Sequence, residues 1–421
     1  MLQGCFFLDK DQYKIGLILV YTIYKKALLF YNINMEAIQM TKYIKADEFY
    51  YPYHVKGAGY LAIEGNDFGE WQEEAPHGAE IIDYTGFSVA PGLVDTHIHG
   101  FAGVDVMDNN QEAFETMSKA LLGAGVTSFL PTALTASFET LDDICRTVAD
   151  FAGQESGARI QGLFFEGPYF TEKYKGAQNP SYMRNPSIAE LDQWLESSKG
   201  LLKKIALAPE RDEVEDFINY ANSKDVIVAL GHSDATYEQA VQAVEAGASV
   251  WVHAYNGMRG LNHREPGMVG AIYELPNTYA ELICDGHHVH PSACDILMHQ
   301  KDHEHVVLIT DCMSAGGLED GDYMLGEYPV TVEKGTARLK SNGALAGSIL
   351  QLKDAVKNVV NWGIASKAQA IGMASLAAAI SVGIDDKCGQ IKKGHKADFI
   401  ILDKDLDLRA TYLGGQEVWN A

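Results

Sequence analysis

Apolar and polar positions along this chain fall into a repeating two-part pattern. Buried-type runs of strand length occur near 93–97, 127–130, 160–165, 205–208, 226–230, 249–252, 280–284 and 306–309. Between many of them lie longer segments with helical spacing of apolar residues, at 111–124, 139–152, 187–199, 211–223, 236–247, 291–301 and 350–362. Continuous apolar strands alternating with amphipathic helices are the mark of a parallel sheet covered by helices. Eight such units predict an α/β fold of the TIM-like (β/α)8 barrel type. A doubly wound open sheet is the competing architecture, but no G-x-G-x-x-G follows an early strand. The two ends read differently. Short strand-like pieces at 43–44, 60–63, 80–83 and 87–89 are separated by glycines and acidic residues, and a turn-rich stretch at 389–398 leads into an apolar strand at 399–402. These ends are expected to combine into one small β-sandwich. The expected division is 40–90 and 379–421 for the sandwich and 91–378 for the barrel. Residues 1–39 are expected to be an extension outside the fold, with Met40 opening the ordinary domain start. The apolar run at 16–24 is too short to span a bilayer.

Composition narrows the function classes. The 421 residues are 47% hydrophobic, enough for a large core. A formal net charge of −24 disfavours nucleic acid and anionic membranes as partners. It also means that an anionic substrate needs a local cationic pocket. The six cysteines are scattered and form no C-x-x-C pair, which reads as a reduced, cytoplasmic protein.

The ends of the predicted strands carry the chemistry. His97 and His99 are two apart on an extended run, so both imidazoles leave it on the same side. Glu166, His232, His253 and Asp311 each stand at the end of another such run. In a barrel of this type, functional groups collect at the C-terminal strand ends. Five strands converging on His, Glu and Asp point to a divalent metal, and the dominance of imidazole favours Zn2+ or Fe2+ over Mg2+. Glu166, His232 and His253 supply three ligands; His97 and His99 offer a second ion a place, with Glu166 shared. Such a site activates water near neutral pH. Asp311 then has the role of base and, later, acid, with a supporting contact to a ligand histidine as the alternative.

These residues lie in recognisable motifs: Pro91-Gly92-Leu93-Val94-Asp95-Thr96-His97-Ile98-His99-Gly100, Phe165-Glu166-Gly167-Pro168, Gly231-His232-Ser233-Asp234-Ala235, His253-Ala254-Tyr255-Asn256-Gly257-Met258, Arg264-Glu265-Pro266-Gly267, Asp285-Gly286-His287-His288-Val289 and Ile309-Thr310-Asp311. With them the chain resembles the amidohydrolase superfamily and, within it, the N-acetylglucosamine-6-phosphate deacetylases, from about Met40 to the C-terminus. The resemblance implies hydrolysis of the acetamide of a phosphorylated amino sugar, in amino-sugar catabolism, by a homodimer. It assigns Glu166, His232 and His253 to metal and Asp311 to acid/base catalysis. It assigns His288 to the sugar, and Asn256, the Gly257 backbone and Arg264 to the 6-phosphate. His263, beside Arg264, is either a second group at the phosphate or a solvated loop residue. The chain departs from the family pattern at Gln178, where members often carry a histidine near the acetyl carbonyl; an amide donates a hydrogen bond but is never cationic. The segment 342–348 is expected to shape the substrate pocket. The alternatives are deacetylation of the galactosamine isomer, another amidohydrolase reaction such as D-amino-acid deacylation, and a barrel that binds without chemistry.

Overall fold

The computed structural model describes residues 41–52 and 54–421. The expected extension 1–39 lies outside the described residues. Eight parallel strands follow one another around a barrel: Leu93–Ile98, Val126–Leu134, Leu163–Tyr169, Leu202–Leu207, Ile227–Leu230, Val250–Trp251, Tyr279–Ile283 and Val306–Ile309. Each pairs in parallel with the next. The ring meets itself just beyond the strand ends. Ile98 bridges Cys312, and the Asp311 N–H donates to the His97 carbonyl at 2.9 Å.

Helices pack outside the ring by their apolar faces. In Leu352–Asn361 the buried residues are Leu352, Ala355, Val356 and Val359, the i, i+3, i+4, i+7 spacing of one helical face. Local signals start the helices where expected. Ser137 caps Phe138–Phe151, Thr236 and Gln239 form a capping box on Tyr237–Glu245, and Pro291 opens Pro291–Lys301. The helix expected over 211–223 begins later, at Val214. Three helices, Gly267–Glu274, Lys367–Met373 and Leu376–Ser381, had no amphipathic signature to announce them. The first and last are apolar nearly all round and packed on several sides.

The terminal segments join in one eight-stranded mixed sheet, with Glu80–Pro91 hydrogen-bonded to both Lys42–Tyr51 and Phe399–Leu402. Ile44, Phe49, Phe68, Phe399 and Tyr412 form its separate core. A further antiparallel sheet, Gly321–Leu325, Tyr328–Glu333 and Thr336–Leu339, follows the eighth barrel strand and was not expected. Among the described residues, no helix is long and apolar enough to cross a membrane.

Candidate metal centre

The six metal and acid/base candidates meet at one end of the barrel. His97 sits within the first strand and His99 just past its end. Glu166 lies on the third strand, and His232, His253 and Asp311 each stand two residues past the ends of the fifth, sixth and eighth. All six are buried. They form two adjoining groups, one of His97, His99 and Asp311, the other of Glu166, His232 and His253. Within the second, Glu166 Oε1 lies 3.0 Å from both His232 Nε2 and His253 Nε2, and these nitrogens are 3.1 Å apart. Within the first, His97 Nε2 and His99 Nε2 are 3.3 Å apart, and Asp311 Oδ1 lies 3.4 and 3.1 Å from them. Glu166 joins the groups: Oε2 is 3.2 Å from His99 and Oε1 is 3.6 Å from His97.

The opposite ring nitrogens explain why this arrangement calls for a cation. His99 Nδ1 donates to the Thr132 carbonyl at 3.0 Å, His232 Nδ1 to Tyr174 at 2.8 Å and His253 Nδ1 to Asn256 at 3.1 Å. His97 Nδ1 donates to Glu281 at 2.9 Å. A neutral imidazole that donates from Nδ1 presents a bare lone pair at Nε2. Four such lone pairs face one another and two carboxylates in a buried site. That donor set fits divalent ions, with the partners on Nδ1 holding each ring in place.

Backbone conformation helps to aim these side chains. His232, His253 and Asp311 have φ of 44°, 30° and 50°, a region that non-glycine residues seldom adopt. Each costs on the order of 1–3 kcal/mol, held in place by surrounding structure. Gly257 has φ 58°, and a Cβ there would stand 2.9 Å from His232 Nδ1. It therefore clears space for the His232 ring.

In the metal-free chain, protons take the place of a cation. Burial disfavours charge on His253, but Glu166 outweighs burial and carries the imidazole up to about 9. His232 above all, then His253 and His99, hold Glu166 well below the usual carboxylate range against the effect of burial. Burial likewise opposes charge on Asp311, yet His97 and His99 keep its carboxyl low and ionised. A histidine raised by folding stabilises fully below its ordinary value and loses that contribution as pH rises through the raised one. The chelated protein is therefore expected to lose thermal stability between pH 6.5 and about 9. Zn2+ uptake in that window should release protons. Melting curves with and without chelator, together with proton release in weak buffer, measure both; a pH-independent melt of the chelated chain contradicts the assignment.

A cavity of about 160 Å³ opens over the centre, lined by His99, Glu166, His232, His253 and Asp311 together with Asn256, Gly257, His288 and Gln178. Leu345 and Gly347 of the 342–348 segment line it too, as does Leu325 from the unexpected sheet. A roomier cavity of about 630 Å³ beside Tyr50, Tyr51 and Gln369 gathers none of these groups, so size does not locate the chemistry. His288 Nδ1 is held by Asp285 at 2.6 Å. Gln178 is engaged from both ends: its amide nitrogen donates to Glu166 Oε2 at 2.5 Å, and its oxygen accepts from the Thr135 N–H at 2.8 Å. It supports the Glu166 carboxylate. His263 and Arg264 are not brought to the cavity. They are exposed at the tip of a tight turn closed by mutual backbone hydrogen bonds of Asn262 and Glu265.

Two charged groups of the site, Lys204 and Glu281, escaped the sequence reading. Asp285 was legible only as part of a motif. Lys204 and Glu281 lie inside apolar strands, fully buried beneath His97. A charge in the middle of a buried strand was the available signal for both.

Residues 88–418 match the Amidohydrolase family. The N-acetylglucosamine-6-phosphate deacetylase of Vibrio furnissii is 42% identical over 344 residues, covering 82% of this chain and 86% of the relative. The N-acetylgalactosamine-6-phosphate deacetylase of Escherichia coli O157:H7 is 42% identical over 329 residues, covering 78% and 87%. Among solved structures, a variant N-acetyl-D-glucosamine-6-phosphate deacetylase from Mycobacterium smegmatis, in complex with N-acetyl-D-glucosamine-6-phosphate, superposes with a TM-score of 0.85 at 29% identity. That likeness covers 90% of this chain and 99% of the other.

Proposed function

The chain belongs to the amidohydrolase family, and within it we propose that this protein hydrolyses the acetamide of N-acetyl-D-glucosamine 6-phosphate to D-glucosamine 6-phosphate and acetate. The observation that carries this reading is the convergence of four imidazole Nε2 atoms and two carboxylates beneath a cavity that His288, Asn256 and Gly257 also line. Glu166, His232 and His253 would hold one divalent ion, and His97, His99 and Asp311 a second; zinc or ferrous iron suits such donors. When bound, a divalent ion there supplies Lewis acidity to the acetyl carbonyl and makes water available as a nucleophile near neutral pH.

The protein's own groups do the rest. Asp311, ionised beside His97 and His99, takes a proton as water adds to the acetyl carbon. It returns that proton to the amine nitrogen as the C–N bond breaks, so amide and water become amine and acetate. His288, fixed by Asp285, contacts the sugar ring. Asn256 and the Gly257 backbone take the phosphate end. Arg264, with His263 beside it, is the cationic partner that a phosphate requires on so acidic a protein. Both stand on an exposed tip, which accords with a homodimer whose subunits together close the phosphate pocket. The five cysteines among the described residues are free and buried, in keeping with a cytoplasmic protein.

The test is acetate release from N-acetylglucosamine 6-phosphate, with N-acetylgalactosamine 6-phosphate in parallel. The glucosamine compound should give the higher kcat/KM. Chelation should abolish turnover, and Zn2+ or Fe2+ should restore it. The galactosamine relative, equal in identity to the glucosamine one, makes the reversed preference the second reading. Absence of acetate from both compounds refutes the proposal.

A further inference from the structure

Beneath the two ligand groups, the barrel interior holds an ion pair that the proposed reaction does not use. Lys204 on the fourth strand bonds through Nζ to Glu281 Oε1 on the seventh, and both side chains are buried. The ammonium also donates to the Thr96 carbonyl at 2.8 Å and lies 3.8 Å over the Phe164 ring. The other carboxylate oxygen, Glu281 Oε2, accepts from His97 Nδ1 at 2.9 Å and from the His253 backbone N–H at 3.4 Å. One pair thus ties together the first, fourth and seventh strands and the end of the sixth.

Stability alone is a poor reason for such a pair. Two charges lose their hydration, and apolar side chains of similar volume often serve a core equally well. What apolar side chains cannot do is fix an imidazole. Of the four histidines, His99, His232 and His253 donate from Nδ1 to neutral carbonyls, whereas His97 donates to a carboxylate. A carboxylate partner orients a ligand ring and makes its far nitrogen a stronger electron donor. Lys204 neutralises that carboxylate and holds its second oxygen, so the first stays directed at His97.

We propose that Glu281, held by Lys204, is a positioning residue that sets the affinity of the His97/His99/Asp311 group for its divalent ion, leaving the Glu166/His232/His253 group nearly unaffected. The inference rests on the reading that both groups take ions.

The test is a Zn2+ titration against a competing chelator, counting ions per chain, on wild type, Glu281→Gln and the double variant Lys204→Met/Glu281→Gln. Metal-free melting is recorded for each. The wild type should bind two ions. Glu281→Gln should keep one affinity within about threefold and lose about 10–100-fold at the other. The double variant removes both buried charges, so its metal-free melting should recover towards wild type while the second ion stays weak. A merely structural pair predicts otherwise: ion affinity would recover together with melting. That result overturns the proposal, as do two unchanged affinities in Glu281→Gln, equal weakening of both, or a wild type that takes a single ion. A wild-type chain that takes no ion instead overturns the metal reading itself.

Discussion

Replacing Asp311 with asparagine is expected to lower kcat for acetate release by about 10²–10⁴-fold, the usual contribution of a positioned acid or base. That loss corresponds to about 3–5 kcal/mol of barrier. Asparagine preserves the shape and the backbone bond from residue 311 to the His97 carbonyl, so the seam of the barrel stays intact. What disappears is a group that accepts a proton. KM should stay near its wild-type value, which marks an interaction needed in the transition state. Because Asp311 Oδ1 also lies within 3.4 Å of both His97 and His99, the ion at that group should weaken, while the one at Glu166, His232 and His253 remains. Turnover within a few-fold of wild type would exclude Asp311 as the proton carrier.

Glu166→Gln should have the more general effect. This carboxylate lies within 3.6 Å of all four ligand imidazoles. Removing its charge deprives both groups of a shared anionic donor, and the metal-free chain loses what holds His253 in its charged form. Breaking a buried pair of this kind costs about 3–5 kcal/mol. The expected result is a chain that retains little or no metal after dialysis, shows no measurable turnover and melts several degrees lower. Metal analysis and calorimetry on one sample check all three. Full metal content in the variant would show that Glu166 is not the bridge between the groups.

Much of this site was legible because barrel strands obey a simple grammar. His97 and His99 are two apart on an extended run, and Glu166, His232, His253 and Asp311 each stand within two residues of the end of an apolar run. Parallel pairing then brings distant strand ends to one place. Other features leave weaker traces. Lys204 and Glu281 each need a partner from a strand far along the chain, so neither is interpretable alone. The left-handed backbone at His232, His253 and Asp311 leaves no compositional sign, since none is glycine. Gln178 was expected near the acetyl carbonyl; its bonds to Glu166 and Thr135 depend on the path of the loop that carries it. The Gly321–Leu339 sheet did alternate in and out, as in the exposed Met324 beside buried Leu325. Its strands are short, and they sit where the barrel pattern draws attention to helices.

The way the barrel joins its first and last strands also bears on how the protein matures. Individual βα units can assemble from neighbouring stretches of chain, but His97 and His99 reach Asp311 only when the ring shuts. Contacts so remote in sequence are late and slow to form. Ion capture by this trio would therefore report that the nascent chain has completed its circuit, and a divalent ion present during refolding would act as a latch on the finished ring rather than as a seed for it.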